Sequence, residues 1–377
     1  ASPASVEPSP AARASTWPSM APITSSKGPV AVTGAAGYIG SYVVKNLVDH
    51  GYTVRACVRD RSRKDKTEHL LAMSGRGVGR VELVEADIRN EGVYNEVFKG
   101  CSAVFHIATE LGHSGYENFW GDGKKMHGGI LDGTRNVLSA IEQSGSVKRL
   151  VYTSSGAAVK GPSPPGYFWS ESDFCGVGGP ENPHRSDFPY GRGKMDSELM
   201  CYKWGKETGV DVVTIIPEHA IGPLMCRNHD FGWQHDIGEI FCGRYHVDQL
   251  WGISDVRDLG EAYRLAAESS AAGNGSRYFV VTPHSEGGAP TPPTLVELLR
   301  SCYPDDPAVC GTKPAPGGRE YMPVRTTKAK DELGLRYTHF RDTLRDTVES
   351  LKALGVLDQI RERMAKKRAE KVAASKL

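Results

Sequence analysis

Two short runs carry residues whose types and spacing could do chemistry: Tyr190-Gly-Arg-Gly-Lys194, and the adjacent hydroxyls Ser154-Ser155. On a helix, a separation of four places the Tyr190 phenol and the Lys194 ammonium on one face. A fixed cation beside a phenol favours phenolate and lowers its pKa toward working pH, as a general acid or base requires. A hydroxyl at a strand end can hold a substrate oxygen, so the combination reads as proton transfer to or from that oxygen. The Tyr/Lys pair alone is a common pattern, and it becomes specific only with what the rest of the chain supplies.

What it supplies is a glycine run. From Pro29 the sequence reads PVAVTGAAGYIG, with glycines at Gly34, Gly37 and Gly40 between a short apolar strand and an amphipathic pattern at Val43, Val44, Leu47 and Val48. In such a strand, turn and helix the first glycine permits the turn. The second lets the backbone approach a pyrophosphate, and the third lets helix and strand pack closely. The phosphates then sit on the helix N-terminus. The next strand, Tyr52 to Val58, ends on Arg59, at the position that faces the adenosine ribose. An acidic residue there binds a free 2′-hydroxyl, whereas arginine accepts a 2′-phosphate. Arg61, Arg63, Lys64 and Lys66 follow, offset only by Asp60 and Asp65, so the expected cofactor is NADP(H).

Elements that would position these groups follow in alternation. A third strand, Val81 to Glu85, leads into Ala86-Asp87-Ile88, with a helix expected around Val93 to Phe98. A fourth, Ala103 to Ile107, ends at Ala108-Thr109, and a helix is expected through Gly133 to Gln143. Arg149 to Tyr152 opens a fifth strand into Thr153-Ser154-Ser155, and a helical stretch from Tyr190 runs through Met195, Leu199 and Trp204. Strands and helices alternating at this spacing predict an α/β fold with a doubly wound parallel sheet, which binds ligands outside the strands' carboxyl ends.

Composition narrows the class. The 377 residues carry 46 Lys and Arg against 45 Asp and Glu, so no net charge steers the chain toward nucleic acid or an anionic membrane. No apolar run approaches the roughly 20 residues of a bilayer span. Cys57, Cys101, Cys175, Cys201, Cys226, Cys242, Cys302 and Cys310 form no Cys-x-x-Cys pair and read as thiols of a reducing compartment. His219, His229, His235 and His246 show no ligand spacing on a common element, so no metal site is expected. Residues 1–28, rich in Pro, Ala and Ser, are expected to be disordered, and their acid-poor composition also suits an organelle transit segment. The last residues, Ser375-Lys376-Leu377, match a peroxisomal address and imply an import receptor as partner; without that address the cytoplasm is expected.

The stretches VTGAAGYIGSYVV, YTVRACVRD, VFHIAT, GTRNVL, LVYTSSGAAV, YGRGK, IIPEHAIGP, DVRDLGEAY and LRDTVESLKALG occur in the order of the extended short-chain dehydrogenases/reductases. The chain resembles that family, and within it the branch of dihydroflavonol, cinnamoyl-CoA and aldehyde/ketone reductases. The resemblance implies a Rossmann-type domain at residues 29–220, to which some later segments return, a mainly substrate-binding lobe at 221–357, and a basic C-terminal helix and tail at 358–377. It implies that Gly34, Gly37 and Gly40, with Tyr38 and Ile39, cradle the pyrophosphate, and that Arg59 and Lys66 hold the 2′-phosphate. Asp87 and Ile88 would flank the adenine, while Ile107, Ala108 and Thr109 line the nicotinamide side. Ser155 would bind the carbonyl oxygen, Tyr190 would donate the proton, and Lys194 would hold the nicotinamide ribose. Pro217, Glu218, His219 and Ala220 would close over the nicotinamide.

Three departures from the family pattern stand out. Gly193 replaces a usual Ser, Glu218-His219 replace small or apolar residues, and Ser154 stands beside Ser155 as a second candidate hydroxyl. Substrate selection falls to three long segments, 110–126, 160–189 and 224–251. The last two carry Tyr167, Phe168, Trp169, Phe174, Phe231, Trp233, Tyr245 and Trp251, which either line an apolar pocket or pin loops to the core. The expected reaction is NADPH-dependent reduction of an aldehyde or ketone. A sugar-nucleotide epimerase or dehydratase, a hydroxysteroid or sterol dehydrogenase, and a catalytically silent nucleotide-binding scaffold share the motifs. Relatives that pair through the Tyr/Lys helix make a homodimer a further implication.

Overall fold

The computed structural model describes residues 22–75, 78–110, 123–164, 166–177, 188–244, 246–247, 252–282, 295–307, 309, 314–315, 324 and 327–374. The Ser375-Lys376-Leu377 tripeptide, most of the presumed N-terminal tail, Tyr245, Trp251 and Cys310 lie outside them, as does part of each expected substrate segment.

The strands in chain order are β1 (Val30–Thr33), β2 (Thr53–Val58), β3 (Arg80–Glu85), β4 (Ala103–His106), β5 (Arg149–Thr153), β6 (Asp211–Pro217), β7 (His219–Ile221), β8 (His246–Val247), β9 (Ile253–Asp255), β10 (Ser276–Val280) and β11 (Pro314–Ala315). The helices are α1 (Tyr38–Asp49), α2 (Lys64–Leu71), α3 (Gly123–Ser144), α4 (Pro189–Thr208), α5 (Trp233–Phe241), α6 (Val256–Glu268), α7 (Leu295–Cys302), α8 (Lys328–Leu333), α9 (Phe340–Ala353) and α10 (Val356–Ala374).

Seven strands form one sheet in the order β10-β6-β5-β4-β1-β2-β3, with every pair parallel. Strands β1, β4, β5 and β6 are buried along their whole length, which explains why they read as nearly unbroken apolar runs. The chain winds outward from β1 in both directions, so its carboxyl edge opens a crevice between β1 and β4. One face is covered by α1 and α6, whose Val43, Leu47, Leu259 and Tyr263 share a core with Val32, Phe105 and Ile215. The other carries Val137 and Ile141 of α3 and Cys201 of α4 against Val104, Leu150 and Val212.

A second core belongs to the smaller lobe: Ile221, Leu224, Ile237, Phe241, Leu299, Leu344, Leu351 and Ile360 pack together from α5, α7, α9, α10 and the segment after β6. The late elements α6 and β10 pack with the sheet: β10 pairs with β6, and α6 shares the core beneath α1.

Three local expectations are corrected. Residues 22–28 are not a floppy tail: Ile23 is buried, and its amide donates to the Ala267 carbonyl at 3.2 Å. The segment from Val93 to Phe98 is a series of turns rather than a helix. The Asn136 side chain there takes the Gly92 amide and donates to the Ile88 and Asn90 carbonyls, substituting for helical partners. Helix α3 begins ten residues earlier than Gly133, because Gly128, Gly129 and Gly133 hide its apolar period.

Candidate active site

The glycine turn has the shape its sequence requires. Gly34 takes φ +67°, where an added Cβ would also stand 2.9 Å from the Ala108 amide, and a Cβ on Gly40 would overlap the Gly34 carbonyl oxygen. Gly37 caps α1 without any side-chain hydrogen bond, so the helix start is left to an external anion. This cradle, which any side chain would fill, fits a dinucleotide pyrophosphate.

Across the crevice, Ser155 and Tyr190 meet. Ser155 follows β5 as the cap of a short 3-10 turn, its hydroxyl accepting the Ala157 amide at 3.2 Å, and it hydrogen-bonds the Tyr190 phenol. Both side chains are half-buried and open toward the cleft. Lys194, one turn further along α4, is 2% exposed. Its Nζ lies 3.4 Å from Thr109 Oγ1 and 4.7 Å from the centre of the Tyr152 ring. Burial pulls the ammonium down to about 8, opposed by the nearby Cys201 and Glu198. The expectation that Lys194 lowers the Tyr190 pKa is corrected. Burial raises the phenol, and the group that opposes the rise is Ser155. Desolvation disfavours the phenolate, so Tyr190 holds its proton at neutral pH.

The adjacent serines differ in their partners. Ser154 is buried and donates to Glu198 Oε2 at 2.5 Å; Glu198 in turn meets Arg277 Nε at 2.5 Å and accepts the Tyr202 hydroxyl at 2.7 Å. Ser155 is thus the hydroxyl beside Tyr190. Gly193 also has a reason: a Cβ there would come within 2.9 Å of Ile130 Cδ1, where α3 and α4 approach.

The other predicted positions divide. Ile107 to Thr109 follow β4 at the sheet's carboxyl edge, and their turn is held by Thr33, whose hydroxyl accepts the Ile107 and Ala108 amides at 3.1 and 3.2 Å. Thr33 then gives its proton to His106 Nδ1 at 2.9 Å, which burial keeps neutral with a pKa near 3. Arg59 is exposed at the end of β2 and acts electrostatically on Asp87, which Arg89 already grips. Ile88 is buried over Gly133. Lys66 lies toward Cys226, on whose thiol its charge acts. The Tyr38 side chain leaves the phosphate turn altogether and donates to the Gly222 carbonyl at 2.7 Å, while Ile39 packs between the two cores. Pro217 ends β6, Ala220 is buried, and the Glu218 carboxylate stands 3.0 Å from Lys160 Nζ. A Cβ on Gly156 would overlap that carboxylate, so Glu218 reaches the turn that starts at Ser155. His219 holds the Gly252 carbonyl at 3.0 Å, with its ring 4.5 Å from that of Trp233.

Residues 30–281 match the NAD-dependent epimerase/dehydratase family. The chain belongs to that family. A cinnamoyl-CoA reductase (CAD2) of Medicago truncatula is 33% identical over 341 residues, covering 86% of this chain and 95% of that protein. A dihydroflavonol 4-reductase of Zea mays is 32% identical over 344 residues, 88% of this chain and 91% of that one. The solved structure of vestitone reductase from alfalfa superposes with a TM-score of 0.65 at 25% identity, covering 87% of this chain and 99% of that one.

Within this member of the epimerase/dehydratase family, sequence reasoning missed the groups that hold the site rather than form it. Thr33, Glu198 and Arg277 lie in strands and on a helix face where one polar residue among apolar ones reads as ordinary. A charged residue inside the apolar β10, Arg277, was the available signal, because a buried charge requires a partner.

Proposed function

We propose that the protein is an NADPH-dependent carbonyl reductase that converts an aldehyde or ketone to an alcohol. The observation that carries this reading is the meeting of Ser155 and Tyr190 across the crevice from the Gly34–Gly40 cradle, with Lys194 beneath them. Bound NADPH supplies the hydride. Ser155 holds the carbonyl oxygen, and Tyr190, protonated because burial raises its pKa, gives its proton to that oxygen. Lys194, seated beside Thr109, binds the ribose next to the reacting ring. Arg59, exposed at the end of β2, receives the 2′-phosphate, which favours NADPH over NADH. The relatives that match over most of the chain are a cinnamoyl-CoA reductase and a dihydroflavonol 4-reductase, and they support the reductase reading over epimerisation.

The test is NADPH oxidation by purified protein against aromatic aldehydes, diketones, hydroxycinnamoyl thioesters, dihydroflavonols, sugar nucleotides and sterol ketones. Turnover on a carbonyl compound is expected, with Tyr190→Phe lowering kcat by about 10²–10⁴-fold while NADPH still binds. An unchanged kcat in Tyr190→Phe, or NADPH binding with silence across the whole panel, refutes it.

A further inference from the structure

Against the glycine turn, His69 of α2 and the Cys226-Arg-Asn-His229 turn after β7 come together. One ring nitrogen of each histidine and the Cys226 sulfur lie within 4.8 Å of one another. His229 is buried, while His69 and Cys226 are half-buried. The rings stand edge to face with centres 5.1 Å apart.

Ser41 of α1 orders the pair. Its hydroxyl lies 2.8 Å from His69 Nε2 and 3.4 Å from His229 Nε2, and it also faces the Gly37 and Ala35 carbonyls at 2.8 and 3.1 Å. A hydroxyl has one proton, and only the carbonyls require it, so Ser41 accepts from both imidazoles. Both rings then carry hydrogen on Nε2 and a bare lone pair on Nδ1. The His69 Nδ1 is buried with no hydrogen-bond partner among the described residues, while His229 Nδ1 accepts the Met225 amide at 3.3 Å and the His229 ring also meets the Ala36 backbone. The Cys226 sulfur is approached by the Asn228 and His229 amides.

We propose that His69, Cys226 and His229 form a binding site for a Zn²⁺-class divalent ion that joins α2 to the turn entering the smaller lobe. Two imidazoles and a thiolate are the donor set that such an ion prefers, and a water completes four-coordination. Ser41 is the outer partner that fixes both rings. Binding replaces the thiol proton: the Cys226 S–H bond breaks, a sulfur–metal bond forms, and one proton leaves to solvent. Asn228, which donates to the Asp65 carbonyl at 2.7 Å, already joins the same two elements, so the ion would reinforce an existing junction. The Cys-x-x-His spacing at Cys226 and His229 carried this in the sequence; comparing histidines only with one another, and cysteines only with one another, passed over it.

The test uses the full chain, stripped of metal with a chelator and titrated with Co²⁺, then with Zn²⁺. One Co²⁺ per chain is expected, with a thiolate-to-cobalt charge-transfer band that Zn²⁺ abolishes by displacement. Cys226→Ser should lose the band, His69→Gln should weaken binding at least about tenfold, and Cys302→Ser should keep both. In the unmodified chain, Zn²⁺ should slow alkylation of Cys226, mapped by peptide mass, relative to Cys302. A band that survives Cys226→Ser, the absence of saturable binding, or an alkylation rate at Cys226 indifferent to Zn²⁺ overturns the proposal.

Discussion

Replacing Lys194 by methionine should make the folded protein more stable while removing its activity. The ammonium is 2% exposed, and its pKa falls from 10.5 to about 8, chiefly through desolvation. Its contacts with Thr109 and the Tyr152 ring do not restore what water gave. Below pH 8 the group is charged in both the folded and the unfolded chain, and the folded chain bears the cost. A shift of about 2.5 pKa units at 1.36 kcal/mol each amounts to about 3 kcal/mol. Between pH 8 and 10.5 the unfolded chain binds more protons than the folded one, so parent stability rises with pH across that window. Methionine keeps the apolar stem and omits the charge. Urea unfolding of the cofactor-free proteins should therefore show Lys194→Met ahead by about 3 kcal/mol at pH 7, with the margin shrinking toward pH 10. A variant less stable than the parent at pH 7, or a margin independent of pH, refutes the reasoning. Such a cost in a stable fold is the signature of a residue kept for function.

Two further substitutions test the cofactor side. Gly40→Ala sets a methyl against the Gly34 carbonyl and 3.1 Å from Ala35 Cα, which are backbone atoms that cannot move aside, so NADPH binding followed by fluorescence titration should be lost in a protein that remains folded. Arg59→Ser removes a charged hydrogen bond worth about 1.5–3 kcal/mol, and should cut the NADPH-to-NADH preference in kcat/KM by about 10–100-fold; an unchanged ratio places the 2′-phosphate elsewhere.

What could be read from the sequence were features fixed by local chemistry. Gly34, Gly37 and Gly40 announce themselves because no other residue fits that turn, and the strands buried on both faces read as apolar runs. Tyr190 and Lys194 are one helical turn apart, so spacing alone put them on one face, whereas Ser155 follows β5 and was linked to them only by the order of the family's motifs. Tyr38 was misplaced for the opposite reason: its backbone is in the phosphate turn, but its ring reaches Gly222, which lies 184 residues later. The sign of the Tyr190 shift was also beyond spacing. A neighbouring cation is visible in a motif, whereas desolvation depends on everything packed around the phenol. The turns at 93–98 depended likewise on Asn136, a residue of another element.

The site keeps its shape through one buried ion pair. Glu198 is wholly buried on α4, one turn beyond Lys194, and receives Arg277 of β10 on one carboxylate oxygen and Ser154 on the other. Arg277 also donates to the Asp173 carbonyl at 2.8 Å and lies 3.7 Å over the Phe174 ring, so sheet, helix and the loop after β5 meet at a single guanidinium. Arg277→Met fills the space but leaves the Glu198 carboxylate facing only hydroxyl donors and the Lys194 charge. Removing one partner of such a pair costs about 3–5 kcal/mol, which urea unfolding at pH 7 should register. Glu198 also raises the Lys194 pKa, and without Arg277 competing for it that pull strengthens. The Arg277→Met protein should therefore lose stability and, where it still folds, titrate Lys194 higher than the parent does. Parent-like stability would mean that helix α4 is held by its apolar face alone, and that the charge pair has no part in positioning Tyr190.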